Sequence, residues 1–247
     1  MNIFNYILLK GVKMSKICNK CGKENPENLT FCEDCGAILV GIPDSNRKTF
    51  ILKEDFEKIF REYLPQREKY RTVSAPIAYF IRNELKDDFI DLIDGEFPYS
   101  EIYPTAGTRN LAHCPQLSFK SDLGCDLRLH FVFIFKADMS GVYLSMRNLD
   151  RLDPDEVLKT KRDVYQYCIK KHLPDFEFLE SIDLKSDTPF SVSYKKSTII
   201  SRFYDKDNIP SDDVLIEEIK EFIKCGKLLC ELKPLSDEEL VEKVMRR

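Results

Sequence analysis

An α+β fold is predicted for this chain, with an antiparallel-rich sheet packed against helices and a small zinc ribbon at the N-terminal end. Three observations predict it. Apolar residues recur at helical spacing in two stretches of the first half, and the period falls from 3.6 to 2 in the middle of the chain. Two Cys-x2-Cys pairs precede both. At 247 residues the chain has room for one well-cored domain and a small appendage.

The ribbon comes first, over residues 14–40. Cys18 and Cys21, in CNKCG, and Cys32 and Cys35, in CEDCG, each form a knuckle that offers two thiolates to a tetrahedral metal. The ten residues between Cys21 and Cys32 suffice for a short hairpin but not for an apolar core, so the metal has to hold the fold. Gly22 and Gly36 follow the pairs and allow the positive φ such knuckles need. Four cysteines close the coordination sphere, which assigns one structural Zn2+ and no reaction centre. Two coincident CxxC redox motifs are the weaker reading. The apolar run Ile7–Leu9 is too short for a membrane span and lacks the flanks of a signal peptide, and Met14 is a candidate start.

Residues 41–49, GIPDSNRKT, read as a linker, and the main domain is expected over 50–232. Phe56, Ile59, Phe60, Tyr63 and Leu64 mark one face of a first helix starting near Lys53. Pro76 opens a second, with Ile77, Phe80, Ile81, Leu85, Phe89 and Ile93 on its apolar face, ending at Asp94-Gly95. A short strand is expected over Gln116–Lys120. In DLRLHFVFIFK, Leu127, Leu129, Phe131, Phe133 and Phe135 alternate with Arg128, His130, Val132, Ile134 and Lys136. That is a central strand, joined through ADMSG to GVYLSMR as an antiparallel hairpin. A helix over about 154–171 follows, then two β-rich stretches, PFSVSYKK and TIISRFY, and a helix from Ser211. A C-terminal helix over 233–247 begins with the capping box of Ser236 and Glu239.

With 38 basic and 42 acidic residues and a net charge of −4, no global positive field announces nucleic acid, so any DNA contact needs a local basic surface. Two small basic spots qualify, Lys195 and Lys196 with Arg202, and Arg147 with Arg151; such charges more often form a solvated face. His113 and His130 read as structural histidines. Outside the ribbon, Cys114, Cys125, Cys168, Cys225 and Cys230 are odd in number and share no spacing. That argues against a disulfide framework and for the reducing cytoplasm. The chain has no GxxxxGK[ST] loop, no metal-nuclease or HNH-like constellation and no Gly-x-Ser-x-Gly elbow, so an enzyme reading has no residues to carry it.

Three stretches of the main domain carry a resemblance. YPTAGTRNLAHCPQLSF is similar to a pattern of Gly-rich turn, Asn, aromatic, small residue and Pro-Trp running into a strand. FVFIFKADMSGVYLSM is similar to a hairpin whose second strand reads "vYLsl", and STIISRFYDKDNIPSDDVLIEEIKEFI to a segment in which a Tyr and a "lPs" turn lead into an acidic helix. Over Phe50–Leu229 the chain thereby resembles the MrcB-like N-terminal domain, the DNA-recognition domain of McrB-type modification-dependent restriction systems. The resemblance implies binding of duplex DNA and flipping of a methylated cytosine into a pocket whose stacking and edge hydrogen bonds offset the unstacking cost. The sequence departs from the pattern where Gln116 follows Pro115 in place of the tryptophan and Leu111 follows Asn110, and the chain contains no tryptophan.

On that resemblance the DNA- or base-binding residues are Tyr103, Gly107, Thr108, Arg109, Asn110, Gln116 and Phe133. Gly107 and Asn110 fit a turn that approaches DNA, Arg109 suits a phosphate or a base face, Tyr103 or Phe133 an apolar wall, and Gln116 a base edge. Phe133 equally fits the core, since it lies on the apolar strand face. The expected function is a non-catalytic module that reads modified DNA in a restriction or defence context, with a partner protein supplying the effector and no membrane involved. The alternatives are an interaction scaffold that has lost DNA recognition, or RNA or a nucleotide-like ligand in the same pocket.

Overall fold

The computed structural model describes residues 15–17, 21, 23–26, 33–34, 51–125, 127–148 and 155–232. The chain divides into two compact units, Met1–Lys48 and Thr49–Arg247.

In the first unit, β1 (Ser15–Ile17) pairs antiparallel with β2 (Glu24–Pro26), Ser15 opposite Pro26 and Ile17 opposite Glu24. Cys18 and Cys21 fall in sequence between the two paired strands. Asn25, 1% exposed, donates to Lys23 O at 2.8 Å and accepts from the Glu33 N–H at 3.0 Å. Lys23 also faces Asp34 at 3.6 Å. Cys21 is exposed; Cys18, Cys32 and Cys35 lie outside the described residues.

The second unit is α+β, as expected. Helices α1 (Ile51–Tyr70), α2 (Pro76–Arg82) and α3 (Glu84–Ile93) precede four strands: β3 (Tyr99–Gly107), β4 (Leu111–Ser121), β5 (Leu129–Phe135) and β6 (Gly141–Asn148). Then come α4 (Asp155–His172), α5 (Pro189–Ser197), β7 (Thr198–Asp205) and α6 (Asp212–Leu232). The sheet is antiparallel, in the order β3-β4-β5-β6-β7, so the phenylalanine-rich β5 is central. Its alternation sends Phe131, Phe133 and Phe135 to one face, where the apolar sides of α1, α3 and α6 cover them. Phe56 of α1 meets Phe133 and Phe135 edge-on at 5.2 and 5.1 Å, and Phe89 of α3 lies 5.2 Å from Phe119 of β4. Edge-on aromatic pairs at such distances add to what area burial alone provides. The buried Asp212 carboxylate accepts from the Leu52 and Lys53 N–H groups at 3.2 Å, tying the start of α1 to the start of α6.

Several expectations need correction. PFSVSYKK is the helix α5, not a strand: Thr188 is its N-cap, accepting from the Ser191 N–H, and Pro189 opens it. The single helix expected from Pro76 breaks at Asn83, whose side-chain amide competes for the Tyr79 carbonyl at 2.9 Å. The strand expected from Gln116 begins five residues earlier, and β3 before it is an edge strand, the place where Pro104 is tolerated. Cys125 and Cys230 form a disulfide with Cα atoms 5.8 Å apart, against the expectation of none. Sequence spacing held no hint of it, because α6 returns to the β4–β5 connection: a Cβ on Gly226 would stand 3.2 Å from Leu123. The capping box at Ser236 lies outside the described residues. None of the described helices is long and apolar enough to cross a membrane.

Candidate nucleic-acid interface

The second face of the sheet is divided. Val132, Ile134 and Tyr143 form a small core there with Cys114, Ile182, Leu184 and Tyr194, and this core seats α5 against the strands. Towards the other end the same alternation delivers polar groups. The register sets Tyr103 opposite Ser118, Thr105 opposite Gln116, and His130 opposite Arg147.

Between that polar end and the helices α4 and α5 lies a cleft of about 690 Å³, within the size range of ligand sites. Tyr103, Gln116, Ser118 and Lys120 line it from β3 and β4, His130 and Arg147 from β5 and β6, and Phe190 and Tyr194 from α5. Tyr103 and Phe190 remain 47% and 43% exposed. The Arg147 guanidinium lies 3.6 Å from the Tyr194 ring centroid, and the Tyr194 O–H donates to Gln116 Oε1. Phe190 packs on Tyr194 at 4.5 Å. These contacts link strand to helix and fix the planes of two rings beside an open space. At the rim Lys196 of α5 pairs with Asp155 of α4, and Lys120 pairs with Glu101 at 2.5 Å. The Glu101 hydrogen bond raises the Lys120 pKa and also raises that of Tyr103, while Lys120 lowers that of Glu101. Lys120 therefore stays cationic beside a neutral phenol.

The β3–β4 turn is a separate structure. Gly107 has φ +121°, and a Cβ there would stand 2.0 Å from the Asn110 carbonyl oxygen, so only glycine fits. Arg82 of α2 donates to Gly107 O at 2.6 Å. Thr108, Arg109 and Asn110 are exposed on the turn. The expected site residues thus fall into three places: Tyr103 and Gln116 in the cleft, Gly107 to Asn110 on the turn, and Phe133 fully buried in the core. Phe133 is no pocket wall, because its strand side faces α1 and α3. Arg202 is held by Glu218 at 2.8 Å and Glu221 at 3.3 Å, which removes it from the expected basic spot. Arg151 lies outside the described residues. Sequence reasoning missed Phe190 and Tyr194 because α5 read as a strand; the Thr-Pro start was the signal that places both on one helix. Among the described residues no group of three or more His, Cys, Asp and Glu side chains could hold a metal.

The domain is thus an antiparallel sheet with one face buried under helices and the other shared between a small core under α5 and an aromatic and cationic cleft. The family model of the MrcB-like, N-terminal domain matches residues 58–230, and the chain belongs to that family. Domains of this family are non-catalytic DNA-binding modules, and no catalytic family is indicated. No curated protein and no solved structure matches the chain.

Proposed function

We propose that this protein binds duplex DNA and takes a flipped, methylated cytosine-type base into the cleft between β3–β6 and α5, as the recognition module of a restriction or defence system. The observation that carries the reading is the pairing of two exposed aromatic rings, Tyr103 and Phe190, with an ordered Arg147–Tyr194–Gln116 group in one cleft. Base stacking on an aromatic ring is worth about 1–3 kcal/mol, the scale needed to offset the few kcal/mol of unstacking. In place of the family's tryptophan, Gln116 offers a side-chain amide to a base edge. It is also held by Tyr194, so its orientation is set before the ligand arrives. Lys120 and His130 supply polar contacts beside the rings.

The test is a mobility-shift series at low salt with plain, methylated and hydroxymethylated duplexes, for the wild type and for Tyr103→Ala. Tighter binding of a modified duplex, with the preference lost in Tyr103→Ala, is the expected outcome. Absence of binding to all three duplexes would favour the scaffold reading, for which the net charge of −4 and the ion-paired Arg202 and Lys196 speak.

The reading includes one structural Zn2+ held by Cys18, Cys21, Cys32 and Cys35. Its support is the β1–β2 hairpin around the first cysteine pair and the return of Glu33, between the second pair, onto Asn25. The reading also has the effector supplied by a partner protein; the Cys125–Cys230 disulfide removes the cysteine-based ground for a reducing compartment.

A further inference from the structure

We propose that a second cleft, between the C-terminal end of α1 and the start of β4, grips backbone phosphates of the same duplex. The proposal rests on the DNA-binding reading above. The cleft measures about 730 Å³ and is lined by Leu64, Arg67, Glu68, Arg71, Asn110, Leu111 and His113. Leu64 and Leu111 supply apolar lining, and the polar groups converge from two different elements.

Among the described residues, four other arginines of the domain have named protein acceptors. Arg202 is paired with Glu218 and Glu221, Arg162 with Asp163, Arg61 with Glu62, and Arg82 donates to Gly107 O. Arg67 and Arg71, by contrast, have no ion pair or side-chain hydrogen bond among the described residues, although Glu68 stands in the same lining. A guanidinium fork without a carboxylate, facing open space, matches the geometry of a phosphate. Arg67 can be read as a cation serving the α1 macrodipole, since it stands in the last turn. Arg71 is the next residue after α1, its N–H donating to Arg67 O at 3.0 Å as a left-handed helix cap, so the helix end accounts for the charge of both but supplies neither guanidinium with an acceptor.

Arg71 is also held in an uncommon conformation. Its φ is +61°, in the left-handed region that non-glycine residues avoid. The Leu111 N–H donates to Arg71 O at 2.9 Å and the Val73 N–H to Arg109 O at 3.1 Å, while Thr72 bridges Asn110. The α1–α2 connection and the β3–β4 turn are thus stitched together through their backbones, which sets Arg71, Asn110 and the turn residue Arg109 as one rigid group. Burial and the Arg67 charge lower the His113 pKa, leaving a neutral imidazole that can donate one hydrogen bond. Strand β4 carries residues of both clefts. His113 and Gln116 are three residues apart, about 10 Å along the strand, and so point to opposite faces of it; a duplex reaches both clefts by passing around the edge strand β3 and the β3–β4 turn.

The test compares salt dependence of DNA binding for the full-length protein and for Arg67→Gln/Arg71→Asn. Asparagine tolerates the left-handed backbone, so this variant removes charge without adding strain there; circular dichroism checks that it is folded. Removal of two phosphate contacts lowers the slope of log K against log salt by about 2, equally for plain and methylated duplexes. A Lys224→Gln/Lys227→Gln control on the exposed side of α6 leaves the slope unchanged. If the wild type binds and the arginine variant keeps its slope, or loses affinity for methylated duplex alone, the phosphate cleft is overturned while DNA recognition stands. If the wild type binds no duplex, both readings fall together.

Discussion

Asp55 of α1 and Asp88 of α3 illustrate how a single buried group couples the fold to pH. Burial and then the neighbouring Asp88 carboxyl push the Asp55 pKa up to about 7, with Lys58 opposing and Asp212 adding to the shift; burial raises Asp88 as well. A folded-state pKa above the unfolded value means that the folded chain holds the proton more tightly. The stability this confers is complete below about pH 4 and is lost as pH rises towards 7. Urea unfolding of the wild type should therefore show stability falling from pH 5 to pH 8, by an amount on the order of a few kcal/mol. Asp55→Asn, neutral throughout, should flatten that profile and be the more stable protein at pH 8. Little of this was legible beforehand, since Asp55 and Asp88 are 33 positions apart and only the packing of α1 on α3 joins them. Gly107 was legible as a turn residue through the family resemblance, and the structure adds its φ of +121°. Phe133 was half legible: its place on an apolar strand face indicated the core that the structure assigns it.

At the scale of elements, α5 decides whether the cleft exists. Its Tyr194 is 5% exposed, packs in the small second core, stacks under Arg147 and donates to Gln116. Tyr194→Phe keeps the ring and removes one hydrogen bond, which should cost about 1 kcal/mol in thermal or urea unfolding. Tyr194→Ala should cost about 3 kcal/mol or more, and DNA affinity should fall far more in the alanine than in the phenylalanine variant. The β5–β6 hairpin was legible in the alternation of DLRLHFVFIFK, and α1 in the spacing of Phe56, Ile59, Phe60, Tyr63 and Leu64. The missed elements failed for identifiable reasons. In α5 the alternating Phe, Val and Tyr outweighed the Thr-Pro start, and in β3 the central Pro104 masked a strand that its edge position permits. At Asn83 one amide side chain divides a helix whose apolar periodicity runs on through the break.

Across the main domain, one sheet is used on both faces: its phenylalanine face holds the fold together under α1, α3 and α6, and its other face seats α5 on a small core and leaves the cleft at one end. The fold class followed from the switch in period; the cleft did not, because it draws side chains from four strands and two helices that are distant in sequence. For the smaller unit, one equivalent of zinc is expected per chain by elemental analysis. Chelation should abolish the dispersion of its amide resonances while leaving the main domain's unfolding unchanged. The central claim is recognition of a modified base in duplex DNA. Its most direct measurement is an equilibrium titration of the full-length protein, at low salt, against two duplexes that differ only by one 5-methylcytosine. Tighter binding to the methylated duplex is expected; equal affinity for the two, or binding to neither, would contradict recognition of the modified base.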